Sequence, residues 1–305
     1  MPDAGLHAYF VIGPTASGKS AVAQYIAERE GQLIVSADSM NIYRGMDIGT
    51  AKPTSEDRKK ADYAGFDLAG PTEKFNVAAY LDAVRPSFQS GRDIIVAGGT
   101  GLYVKCLTEG FDDVAPENSR LRNELEALDF QTLEKQAQTE AAEFYNNLTE
   151  DDQQNPRRLI RILERAAGSG RYDRSWNSRP KPKLVGLHVE RPVLLERIEM
   201  RVDAMYAAGL LDEAEALIKL ELSQTAMQAI GYAEAFAVLN NEMTLDEAKE
   251  KTVIRTRQLA KRQMTWFRNQ LNVEWIDTAA FQSLEKLAAA VSNVWKDTGP
   301  APVVF

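Results

Sequence analysis

Cysteine and histidine are nearly absent from this chain: Cys106 stands alone, and His7 and His188 are the only imidazoles. A single thiol excludes an internal disulfide, and so few soft ligands exclude a zinc site, so any metal is expected to be Mg²⁺ held by oxygens. No apolar run approaches the roughly 18 residues that a membrane-spanning helix needs, and the opening MPDAGLH carries no basic stretch before its short apolar segment. Neither a membrane span nor a signal peptide is therefore expected, and a cytoplasmic location follows. Asn-Lys-x-Asp, the guanine-reading sequence, is missing too. The 305 residues are 44% hydrophobic and 26% charged, enough for one large core or a core with an inserted unit.

The net charge of −8 argues against a nucleic-acid partner only until its distribution is considered. Residues 111 to 154 hold twelve acids against three bases, residues 155 to 201 hold twelve bases against five acids, and residues 251 to 273 hold six bases and no acid. One such run taken alone is as readily a solvated helix face. Two basic runs in an acidic protein point toward a polyanion.

Near the start, the strand-like Tyr9-Phe-Val-Ile12 runs into GPTASGKS and then into a helical stretch. This is a phosphate-binding loop in its strand, loop, helix setting. Backbone amides of Gly13, Thr15, Ala16, Ser17 and Gly18 can turn toward a phosphoanhydride, Lys19 supplies a full positive charge, and Ser20 is placed to ligate Mg²⁺. Leu33-Ile-Val35 and Asp93-Ile-Ile-Val96 are further short branched runs ending in polar or glycine-rich turns, with helical spacing over Val77 to Phe88 between them. An α/β fold follows: a P-loop NTPase-like parallel sheet with its active edge at the C-terminal ends of the strands.

From Asn118 the texture becomes long polar helices. Residues 112–155 read as a helical insertion, and residues 1–111 with 156–305 as the core, closed by a helical C-terminal region. Leu184 to Val189 reads as a return strand after a Pro/Arg-rich loop over Ser175 to Pro182.

Several phosphate chemistries fit a P-loop. The strand over Ile94 to Ala97 ends in Gly98-Gly99-Thr100 and not in a metal-binding aspartate, whereas Asp38 ends the strand after the P-loop helix. An acid there could grip a nucleophile as in a small-molecule kinase, or simply cap a turn.

The blocks SADSMNIYRGMDIGTAKPT, AGGTGLYVKCLTEGF, NPRRLIRILE, AMQAIGYAEA and RQLAKRQMTWFRN, with the P-loop, run in order from Gly13 to Asn269. Together they closely resemble the tRNA dimethylallyltransferase family. The resemblance implies transfer of a dimethylallyl group from its diphosphate to N6 of the adenosine just 3′ of the anticodon, in tRNAs reading codons that begin with U. It also implies that the P-loop holds the prenyl diphosphate and not ATP. Asp38 would be the base, with Thr100 beside the reacting groups and Arg201 on the diphosphate. The acids missing at i±3 and i±4 leave Arg201 without a helical partner. A tRNA anticodon stem-loop would meet Asp38, Ser39, Met40, Asn41, Arg122, Arg157, Arg158, Arg161, Gln228, Gly231, Tyr232, Lys261, Arg262, Trp266 and Arg268. Plain core packing is an equally good reading of Trp266. The chain departs from the family at Asn41, where Gln is common, at Tyr63 to Asp67, and at Glu150 to Asn155. No Cys/His finger follows residue 270, as in bacterial-type members, and a monomer is expected. Competing readings are an adenylate prenyltransferase and a P-loop kinase.

Overall fold

A computed structural model describes residues 5–110, 119–168 and 181–305. Six of the described strands form a parallel sheet: β1 His7–Ile12, β2 Leu33–Ser36, β3 Asp62–Ala64, β4 Ile94–Gly98, β5 Lys183–His188 and β6 Asn272–Asp277, in the order β3-β2-β4-β1-β5-β6. A short β7, Ala301–Pro302, pairs antiparallel with the start of β1. The inner strands are buried along nearly their whole length, because helices cover both faces of a parallel sheet and leave no polar side. On one face Val11, Ile34, Ile95 and Val185 pack against helices Lys19–Glu30 and Leu284–Thr298 through Val22, Ile26, Val291 and Trp295.

The register fixes the site. Tyr9 pairs with Ile95 and Ile12 with Gly98 across β1 and β4, while Ser36 of β2 pairs with Ala97. The P-loop, Asp38 and Thr100 therefore leave adjacent strands at the same edge, as the α/β reading requires.

The segment after β2 folds back as its own small core, with Ile42, Tyr43 and Met46 packed on Leu210, Leu217, Tyr232 and Phe236 from helices Leu210–Leu217 and Tyr232–Leu239. Helix Leu245–Gln270 packs against helix Arg191–Ala207. The helical C-terminal region that the sequence implies runs as far as Gln270. Beyond it, β6 and helix Leu284–Thr298 complete the sheet and its cover.

Residues Asp112–Arg179 form a second compact unit. Its described helices include Ser119–Glu126, Phe130–Glu140 and Pro156–Ala167, closed around Leu125, Leu133, Leu159 and Leu163. The expected boundary at 155 is corrected: Leu159, Ile160, Ile162 and Leu163 make the helix Pro156–Ala167 the centre of this unit, not the return to the core. Asn155 caps it by accepting from the Arg157 amide at 3.1 Å, with Pro156 in its first turn. Most of the expected loop Ser175 to Pro182 lies outside the described residues.

Candidate active site

β1 hands the chain to the P-loop at Ile12. Gly18, with φ 91°, adopts the left-handed conformation that glycine tolerates, and a Cβ on Gly13 would meet Ser17 Oγ at 2.8 Å and the Leu187 carbonyl at 3.0 Å. Ser17 is buried and its Oγ has no hydrogen-bond partner among the described residues. Lys19 folds back to donate to the Pro14 carbonyl at 3.2 Å. Burial brings its ammonium down to about 8, with the Asp38 carboxylate pulling upward and Arg201 pushing further down. Arg201 donates to Thr15 Oγ1 at 3.2 Å. Desolvation lowers its pKa too, and Asp38 opposes that shift.

Two neighbouring strand ends complete the constellation. The Ala37 amide donates to the Ala97 carbonyl at 2.9 Å and the Thr100 amide to the Ala37 carbonyl at 3.0 Å, locking the β2 and β4 exits together. Thr100 Oγ1 accepts from the Ser39 amide at 2.9 Å and donates to Ser39 Oγ at 3.2 Å. Asp38 Oδ1 accepts from the Met40 amide at 3.0 Å, so one oxygen caps its own turn as the plain reading required. No hydrogen bond engages Oδ2 among the described residues. Beneath lie Tyr80 and Tyr103, stacked at 4.0 Å, and the Tyr80 hydroxyl donates to the Ser36 carbonyl at 2.9 Å. Burial raises both phenols, so they stay neutral beside the carboxylate.

Glycine at 98 is a requirement of this junction. A Cβ there would sit 2.2 Å from the Ala37 carbonyl oxygen, a backbone atom that cannot rotate away. Gly98→Ala is expected to cost about 2 to 3 kcal/mol and to lower the melting temperature by about 3 to 6 °C. Thermal unfolding checks this; a melting temperature within about 2 °C of the parent would show that the strands part freely.

Part of this constellation lines a cavity of about 590 Å³. Thr15, Lys19, Ser20 and Arg201 line it, as do Asp38 and Asn41, and Tyr25, Ile34, Tyr63 and Phe66 add apolar surface. Asn41 donates to Ser36 Oγ at 3.1 Å, while its own Oδ1 is buried without a partner among the described residues. A pocket that puts phosphate-binding cations, an unencumbered carboxylate and apolar surface around one volume suits an apolar group carried on a phosphate and attacked by a nucleophile.

A family model described as IPP transferase matches residues 41–270, and a second, described as Isopentenyl transferase, matches residues 6–64. This chain is a member of the tRNA dimethylallyltransferase family. It is 36% identical to the tRNA dimethylallyltransferase of Pelotomaculum thermopropionicum over 307 residues, covering 93% of this chain and 94% of that one. The Geobacter metallireducens tRNA dimethylallyltransferase is 38% identical over 289 residues, covering 88% and 91%. Among solved structures, the full-length tRNA isopentenylpyrophosphate transferase of Bacillus halodurans superposes with a TM-score of 0.68 at 32% identity, over 96% of this chain and 98% of that one.

Within this family member the remaining candidates fall into distinct environments. Lys261, Arg262 and Arg268 are exposed on helix Leu245–Gln270, whereas Ala260, Gln263 and Phe267 face inward on the same helix. Trp266 lies against Gly101, where a Cβ would meet its ring at 2.1 Å, so its indole packs on the backbone just after Thr100. Tyr232 is a correction. Its side chain is fully buried, donating to Glu213 and accepting from the Gly49 amide at 3.2 Å, which removes it from any surface that an RNA could touch. Gly231 forms the left-handed turn before it, and the Gln228 carbonyl accepts from Arg255 at 2.7 Å. In the helical unit, Arg122 and Arg161 converge on Glu164 at 2.7 and 3.1 Å, and Arg158 pairs with Asp152 at 3.3 Å. Arg157 is exposed.

Three positioning residues escaped the sequence reading. Gln263 accepts from the Thr15 amide at 2.8 Å and donates to the Gly99 carbonyl at 3.1 Å, so it holds the P-loop to the β4 exit and takes the Thr15 amide out of phosphate binding. Lys52 is buried and donates to the Tyr43 carbonyl, Asp47 and Asp67 at 2.5, 2.6 and 2.6 Å. Glu213 accepts from the Asp47 and Ile48 amides at 3.1 Å. The last two pin the loop that carries Asp38 to Asn41.

Proposed function

We propose that this chain transfers a dimethylallyl group from dimethylallyl diphosphate to N6 of the adenosine immediately 3′ of the anticodon, in tRNAs reading codons that begin with U, with release of diphosphate. The observation that carries the reading is the shared cavity, in which Lys19, Ser20 and Arg201 face the same volume as Asp38 and its free oxygen.

The chemistry needs both sides of that cavity. An exocyclic adenine amine is a poor nucleophile, because its lone pair is delocalised into the ring. As the bond from N6 to the prenyl carbon forms, Asp38 accepts the N6 proton and the carbon–oxygen bond to diphosphate breaks. Lys19, Arg201 and the loop amides stabilise the charge that the departing diphosphate gains. Tyr25, Ile34, Tyr63 and Phe66 offer apolar surface to the dimethylallyl tail. Thr100, tied to Ser39, keeps the Asp38 turn aligned with the β4 exit.

Mg²⁺ fits this donor set. Ser20 Oγ is exposed at the phosphate end, and no cluster of three acids, histidines or cysteines stands among the described residues, which suits an ion held mainly by phosphate oxygens and water. When bound it supplies charge neutralisation on the diphosphate.

Incubation with labelled dimethylallyl diphosphate, Mg²⁺ and either unmodified tRNA or AMP tests the assignment. Label in tRNA is expected; label in AMP alone would make the chain an adenylate prenyltransferase. Exposed Lys261, Arg262 and Arg268 present an acid-free basic helix face to the tRNA. Lys261→Ala and Arg268→Ala are each expected to flatten the slope of log K for tRNA against log salt by about one unit, with donor binding unchanged. Slopes equal to that of the parent would place the tRNA on another surface.

A further inference from the structure

The cations around the P-loop divide between two cavities. The larger holds Lys19, Ser20 and Arg201 together with Asp38. A smaller one, of about 250 Å³, is lined by Arg197, Arg201, Lys19 and Ser20 with Ala16 and Gly18, and it contains no carboxylate. Arg197 and Arg201 stand four residues apart on helix Arg191–Ala207, and so project from one face of it. Arg201 is tied to Thr15. Arg197 is half-buried, and no hydrogen bond or ion pair engages it among the described residues, although Glu196 and Glu199 are close in sequence. Glu199 is taken by Arg257 from the neighbouring helix.

Lys19, Ser20 and Arg201 line both cavities, so two phosphates joined by one oxygen can lie one in each. The phosphate that carries the prenyl carbon must lie where Asp38 can reach the incoming amine, in the larger cavity. We infer that the smaller cavity takes the terminal phosphate and that Arg197 is its dedicated ligand, a residue that reads diphosphate against monophosphate. This rests on the prenyl-transfer reading of the site. Arg201 and Lys19 border both cavities and serve both phosphates, whereas Arg197 borders the smaller one alone. The arrangement also places the more highly charged phosphate away from the Asp38 carboxylate, so the base and the leaving group do not repel one another at close range.

The test compares inhibition by inorganic diphosphate and by dimethylallyl monophosphate, each against the diphosphate donor. In Arg197→Ala, Ki for inorganic diphosphate and KM for the donor are expected to rise roughly tenfold to a hundredfold, as for a lost charge-assisted hydrogen bond. Ki for dimethylallyl monophosphate should change by less than about twofold, because the bonds to the reacting phosphate remain. Arg201→Ala should weaken both inhibitors and lower kcat. Arg197→Lys, which keeps the charge but not the fork, should fall between parent and alanine. Equal weakening of both inhibitors by Arg197→Ala, or weakening of neither, would overturn the inference, and a loss of folding in the alanine variant moves the same comparison to Arg197→Lys. Calorimetric titration of inorganic diphosphate into parent and variant reads the Arg197 contact without any turnover. A parent protein that fails to prenylate tRNA yet loses diphosphate affinity on Arg197→Ala would sink the functional reading while leaving this one standing.

Discussion

Asp38→Ala is expected to lower kcat for prenyl transfer by about 10²- to 10⁴-fold while tRNA still binds. The carboxylate sits at the exit of β2, with Oδ1 held by the Met40 amide and Oδ2 without a hydrogen bond among the described residues, so its structural and chemical roles use different oxygens. Asp38→Asn separates them. Asparagine keeps an oxygen for the Met40 amide but cannot take a proton, and it should be as inactive as alanine with less effect on stability. Single-turnover rates at saturating tRNA are the measurement, and a rate within a few-fold of the parent in either variant would remove Asp38 as the base.

Lys19→Ala should reduce kcat and donor affinity together, with kcat down by about 10²- to 10³-fold, since its ammonium meets the diphosphate both before and during departure. A pH signature accompanies the loss. With its pKa lowered to about 8 by burial, the free enzyme's Lys19 is charged below that pH and neutral above it. Donor kcat/KM is therefore expected to fall as pH rises through about 8. Bound diphosphate favours the ammonium, so kcat itself should persist to higher pH. The alanine variant should lack this alkaline limb in kcat/KM; its survival would assign the limb to another group. Collapse of ATP affinity with donor affinity intact would instead overturn the choice of ligand.

Much of this site was legible because its parts are local. The P-loop is one contiguous motif, Asp38 and Thr100 each end an apolar run, and Arg201 followed from the family resemblance, with no acid at helical spacing to pair with it. Gln263, Lys52 and Glu213 were not legible, because a glutamine on a basic helix gains its role only from Thr15 and Gly99, which lie far off in the chain. Tyr232 failed in the opposite direction: its motif pointed to the tRNA, while its packing against Glu213 and Gly49 is internal. β6 was missed because NVEWID mixes charge with aromatics, as an edge strand facing solvent does. The unit boundary slipped since Asn155-Pro156 starts a helix equally well in either unit, and only the burial of Leu159 and Leu163 assigns it.

β1 takes its second parallel neighbour, β5, from beyond the helical unit. A ribosome working at roughly 5 to 20 residues per second needs several seconds to pass from β4 to β5, and during that time the nascent β1 is paired on one side only. The helical unit, rich in local contacts, collapses within that interval. The apolar Phe10-Val-Ile12 edge waits. Synthesis of this protein thus has a built-in window in which an open strand is available to chaperones or to another nascent copy, and the window closes only when Lys183–His188 emerges.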